Sequence, residues 1–123
     1  MEDRFAEGSV IEGYHAHIYY DPREARSRAQ AARLREGLAE RFTVRLGRWH
    51  DEAVGPHPVS MYQVSFDAAE FPGVVPWLML NRGDLSVLVH PLSGDAYDDH
   101  SIFALWLGPQ IELRLEVLRH AAE

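Results

Sequence analysis

Seven histidines and no cysteine set the chemistry open to this chain of 123 residues. Two of them share the stretch Tyr14-His15-Ala16-His17-Ile18-Tyr19-Tyr20. Read as a strand, it sends His15, His17 and Tyr19 to one face and Tyr14, Ala16, Ile18 and Tyr20 to the other, because strand side chains alternate. One face then carries chemistry while the other packs. Neutral imidazoles bind divalent metals and move protons near neutral pH. The lack of cysteine excludes disulfides and thiolate metal sites.

Elements must position these groups. Residues 1–13 are polar and contain Gly8 and Gly13, as in a loose lead-in. The strand at 14–20 ends at Asp21-Pro22, where Asp can cap a helix and Pro suits its first turn. Residues 23–41 are rich in alanine, arginine, leucine and glutamate, with Ala25, Ala29, Ala32, Leu34 and Leu38 on or near one stripe, which predicts a helix packed closely on a sheet. A second strand is expected at 42–49 and a third at 59–66, joined by a polar connection that contains His50, Gly55, His57 and two prolines. A helix is expected at 74–81, restarted after Pro72 and Gly73, and a buried fourth strand at 85–90, stopped by Pro91. Strand, helix, strand, strand, helix, strand is the split βαβ order of a ferredoxin-like α+β domain, with helices on one face of an antiparallel sheet. The whole chain is read as one domain, with a core at about 14–91 and a C-terminal extension at 92–123 that periodicity assigns to neither strand nor helix.

In that topology the first and fourth strands are antiparallel neighbours, so His90 falls beside His15 and His17. Alternation puts His90 on their face if Leu85, Val87 and Val89 pack under the helices. Three imidazoles from two adjacent strands suit iron, zinc, copper or nickel. A two-histidine, one-carboxylate set would instead recruit Asp95, Asp98 or Asp99. His100 can fold back as a ligand, as a partner of a ligand, or as an acid–base group. His50 and His57 lie on a connection at the opposite end of the sheet, and reach the open face only by bending over it or by crossing to a partner subunit. Tyr19 shares the histidine face and can line a substrate pocket; the other aromatic residues read as core or interface. His120, in a charged segment, reads as a surface residue.

The formal charge of −7 lacks the basic footprint of a nucleic-acid binder. Five arginines between positions 23 and 35 are interleaved with glutamates, as on a solvated helix face. Neither a signal-peptide core nor a run of about 18 apolar residues is visible, so a cytoplasmic protein without a membrane span is expected.

Taken in order, His15-Ala16-His17-Ile18-Tyr19-Tyr20, Gly55-Pro56-His57-Pro58, Trp77-Leu78-Met79-Leu80-Asn81-Arg82-Gly83, Val87-Leu88-Val89-His90-Pro91-Leu92-Ser93-Gly94-Asp95, Asp99-His100 and Leu105-Trp106-Leu107-Gly108 resemble the DOPA 4,5-dioxygenase family. The resemblance covers about 14–118. It implies a ferredoxin-like fold, commonly a homodimer, and a non-haem Fe(II) enzyme that opens catechol rings with O2; zinc could replace iron in purified protein. By position the matching histidines are His15, His17, His57, His90 and His100. Strand geometry favours His15, His17 and His90 as metal ligands, and the implied chemistry makes His57 and His100 the acid–base candidates. Tyr19, His50 and Arg82 are the candidate substrate-binding residues, Arg82 as a bidentate partner for a carboxylate. Two further readings stay open: a non-enzymatic ferredoxin-like dimer that binds a metal or small ligand, and a cofactor-independent monooxygenase of dimeric α/β-barrel type.

Overall fold

Strand β1, Gly13–Tyr19, is the centre of the molecule, paired on both sides. The computed structural model describes residues 4–122, with side chains to Arg119. The His120 side chain lies outside the described residues. On one side β1 pairs antiparallel with β3, Met61–Asp67, and on the other with β4, Val87–Pro91. The short β2, Arg45–Leu46, borders β3, and β5, Leu105–Leu107, borders β4, giving the order β2-β3-β1-β4-β5. This is the expected ferredoxin-like α+β sheet with one added strand.

Helices α1, Ala25–Arg41, and α2, Phe71–Asn81, cover one face. Ala31, Leu34 and Leu38 of α1 recur at three- and four-residue intervals and are buried. They meet Ala16, Ile18, Tyr62, Val64, Phe66, Val87 and Val89 from the sheet and Val74, Val75 and Leu78 from α2. The Tyr62 hydroxyl donates to the Ala31 carbonyl at 2.7 Å, so even the polar tip of this core residue is satisfied.

Several expectations are corrected. The restart at Pro72 and Gly73 does not occur, because Pro72 sits in the first turn of α2, where a missing N–H costs nothing. Asp67 makes no side-chain cap, and a 3₁₀ turn at Ala68–Glu70 leads into α2 instead. Asp21 does not cap α1 either; its carboxylate accepts from the Arg23 N–H while the helix starts at Ala25. Pro91 belongs to β4, opposite Tyr14, and β2 is far shorter than 42–49. The undecided tail resolves into α3, Ala96–Asp99, then β5, then α4, Glu116–Ala122.

The other face is partly covered. Ala104, Trp106, Ile111 and Leu113 pack over Tyr19, Met61 and Leu88, so the C-terminal segment forms a second apolar layer. Among the described residues no helix is long and apolar enough to cross a membrane.

Candidate metal and catalytic site

Between that second layer and the start of β1 lie five imidazoles. The β1–β4 register places His15 directly opposite His90 and His17 opposite Leu88, so alternation delivers His15, His17 and His90 to one patch. His17 and His90 are each about 2% exposed. Nitrogens of His15, His17 and His90 lie within 4.8 Å of one another, and so do those of His17, His57 and His100. His17 belongs to both groups.

His57 and His100 arrive from loops. The 50–58 connection folds back over the sheet, and Val54 and His57 exchange backbone hydrogen bonds across a tight turn. The Arg114 N–H donates to the Pro56 carbonyl at 2.8 Å, which holds the turn down and brings the His57 ring to 4.2 Å from that of His17. His100 follows α3, whose Asp95 accepts from the Asp98 N–H at the helix start, and its ring lies 4.1 Å from that of His90.

Hydrogen bonds assign the tautomers. His90 Nδ1–H donates to the Pro91 carbonyl at 2.8 Å, and His100 Nδ1–H donates to the Ala96 carbonyl at 2.8 Å. Both rings therefore keep a bare Nε2, the arrangement in which metal-binding histidines are commonly held. His17 Nε2 lies 3.1 Å from His90 Nε2. Two nitrogens bound to one ion at about 2.0–2.1 Å lie roughly 2.8–3.4 Å apart at right-angled or tetrahedral positions. His17 Nδ1 is buried and has no hydrogen-bond partner. A buried pair so spaced, with one ring nitrogen left without a partner, fits a divalent cation. His57 Nδ1 lies 2.8 Å from the Tyr19 hydroxyl, which can donate to it and leave the proton on Nε2.

Electrostatics disfavour a proton on His15, His17, His57 and His90. Burial lowers His57 to about 4 and His90 to about 3, with the positive charge of His100 pushing both the same way; the Pro91 carbonyl pulls His90 back only in part. Burial also holds His17 well below the ordinary histidine value, reinforced by the four neighbouring imidazoles. His15 is lowered by burial, then by His100 and Arg45, against an opposing pull from Asp99. Neutral rings are the metal-binding form.

The remaining expectations separate. Tyr19 is on the histidine face, but its hydroxyl is engaged with His57 and its ring lies flat to that of Trp106, 5.9 Å away. His50 pairs through its backbone with Met61, and its charge bears on His57. Arg82 is not in the cluster: it lies before β4, at the end away from His90, and donates to the carbonyls of Gly83 and Leu85. Of the three carboxylates considered, Asp95 is spent on α3 while Asp99 is buried beside the cluster. A wide cleft lined by Asp21, Asp51, Glu52 and Asp84 opens at the Tyr19 end of β1, away from the β1 start where the rings meet. Sequence reasoning did not foresee that Tyr19 supports His57 or that Asp99 is buried; the i, i+2 spacing of Tyr19 from His17 carried the first signal.

The sequence model of the Dopa 4,5-dioxygenase family matches residues 14–117. The chain belongs to the Dopa 4,5-dioxygenase family. This family member is 35% identical over 113 residues to the DOPA 4,5-dioxygenase of Amanita muscaria, covering 87% of this chain and 50% of that protein. It is 36% identical over 115 residues to an uncharacterised 21.2 kDa protein of Botryotinia fuckeliana, covering 86% and 63%. The chain thus spans half to under two-thirds of these curated relatives. A crystal structure from Nostoc punctiforme, described as that of a candidate dioxygenase, shares 53% identity and a TM-score of 0.90 over 95% of this chain and 99% of that one. The expected family and α+β fold are both supported by these matches.

Proposed function

We propose that this family member is a non-haem Fe(II) enzyme that opens the ring of DOPA or a related catechol with O2, cleaving it in the extradiol manner. The observation that carries the reading is the convergence of His15, His17, His57, His90 and His100 in one patch, with His17, His57 and His90 buried and two of the five with Nδ1 tied to a backbone carbonyl. His15, His17 and His90 are the proposed ligands. Iron(II) held there would supply open positions for a catechol and for dioxygen and relay electron density between them.

The chain's own groups would manage protons. With Nδ1–H on the Ala96 carbonyl, His100 presents a bare Nε2 that can accept a proton from a catechol hydroxyl. His57, accepting from Tyr19 at Nδ1, keeps its proton on Nε2 and can hydrogen-bond to a substrate oxygen that gains negative charge, while the proton taken by His100 is the one returned as the ring opens. The two imidazoles thus divide the work, His100 accepting the proton and His57 offering a hydrogen bond. His50 stands as a substrate-facing residue through its position near His57, while Arg82, already engaged, is left out of the proposed site. The Trp106–Leu113 layer helps to exclude water from this side of the sheet. A homodimer belongs to the same proposal: Ile102, Phe103 and Leu105 are exposed at the β5 border of the sheet.

The test is oxygen uptake and a new visible absorbance when Fe(II)-loaded protein meets catechols in air. Catechol binding without oxygen consumption would point to a binding module. Turnover that survives chelation would point to cofactor-independent chemistry.

A further inference from the structure

Asp99 is about 3% exposed, yet among the described residues its carboxylate accepts only from the Ser93 N–H, at 3.3 Å to Oδ1 and 3.1 Å to Oδ2. An ionised carboxylate offers about four acceptor positions, and burying it with one weak donor is unfavourable unless a positive charge is near. The surroundings explain where that charge would come from. Asp99 is adjacent to His100, whose ring lies tilted against that of His90 at 4.1 Å, and its charge reaches His15 on β1. Imidazole ligands bring no negative charge, so a dication bound among them would be uncompensated without a nearby anion. The same carboxylate ties α3 to the chain just beyond β4, since Ser93 follows Pro91 by two positions.

We propose that Asp99 is a positioning residue that supplies the buried counter-charge for a divalent cation held by the histidine cluster, and that its bond to Ser93 fixes the loop presenting His100. This rests on the reading of the cluster as a metal site. It separates Asp99 from Asp95, which caps α3, and makes the carboxylate a supporting anion instead of a ligand. A purely structural carboxylate in this setting would have more donors around it.

The experiment measures Zn(II) affinity and thermal stability, with and without Zn(II), for wild type, Asp99→Asn and Asp99→Ala. Asp99→Asn keeps one oxygen for the Ser93 N–H, replaces the other with an NH2 group of similar size and removes the charge. Metal-free Asp99→Asn should melt at or above metal-free wild type, because an uncompensated buried charge has gone, while its Zn(II) affinity should fall about 10- to 100-fold, the range typical of groups that support metal ligands. Asp99→Ala should lose affinity and also melt lower than Asp99→Asn when metal-free. Unchanged Zn(II) affinity in Asp99→Asn would overturn the proposal while leaving the metal site standing. A metal-free Asp99→Asn much less stable than wild type would also overturn it, since the carboxylate would then serve packing. If wild type itself fails to bind Zn(II), the metal reading falls, and the counter-charge falls with it.

Discussion

Nε2 of His17 and Nε2 of His90, 73 positions apart in sequence, face each other at 3.1 Å inside the protein. Because His90 Nδ1 is spent on the Pro91 carbonyl, its Nε2 is bare, and His17 can satisfy that contact only by leaving its own Nδ1 unpartnered. A cation between them resolves the conflict. His17→Ala should therefore reduce iron content in protein purified under reducing conditions by tenfold or more, read by elemental analysis. His57→Ala should retain its iron and lose turnover. Equal iron in wild type and His17→Ala would remove His17 from the ligand set.

Tyr19 tests the proton arrangement. Tyr19→Phe removes the hydroxyl 2.8 Å from His57 Nδ1 and leaves that nitrogen buried without its partner, at a cost of about 1–3 kcal/mol in stability. The ring's apolar packing on Trp106, Met61 and Leu88 is preserved. We expect unchanged iron content and a fall in kcat of about 10-fold or more, with KM for the catechol little altered. A large KM increase at constant kcat would mean that Tyr19 contacts substrate directly.

The sequence carried the part of the site that strand alternation governs. His15, His17 and His90 were placed on one face by a period of two and by strand order, and the register pairs His15 with His90. The return of His57 over the sheet had no such signal, because it depends on a non-repeating turn at Gly55 and on Arg114, 58 positions after Pro56. Residues 111–117 alternate like a strand and yet form none up to Leu115. Gly108, at φ +80°, and Pro109 turn the chain off the sheet after β5, so Ile111 and Leu113 cover the face instead of extending it. That is why the face expected to be open is covered over Tyr19, Met61 and Leu88.

Gly37 tests the packing of the two helices beneath the sheet. A glycine inside a helix ordinarily loses about 1 kcal/mol relative to alanine, so Gly37→Ala should stabilise α1 on propensity alone. A Cβ there would lie 2.6 Å from the Trp77 ring of α2, well inside contact distance. The indole is half-buried, between Phe42 and Arg41, and cannot move without losing contacts. Overpacking of this kind costs about 1–3 kcal/mol, which outweighs the propensity gain. Urea denaturation should show Gly37→Ala less stable than wild type, and a more stable variant would show that Trp77 has room to shift.

The depressed histidines make the metal-free protein acid-sensitive in a defined direction. In the unfolded chain each imidazole titrates near 6.5, whereas in the folded chain His57 titrates near 4 and His90 near 3. Above pH 6.5 neither state is protonated and the full stability is present. As pH falls from 6.5, the unfolded chain takes up protons that the buried rings refuse, so stability declines until the folded values are passed. At pH 5 these two groups together account for a loss on the order of 2–4 kcal/mol relative to pH 7.5. Urea midpoints of metal-free protein at the two pH values measure the total, to which carboxylates also contribute. His57→Gln isolates its share: the variant should lose about half of the histidine contribution, and an undiminished pH dependence would show that His57 is not held neutral by burial.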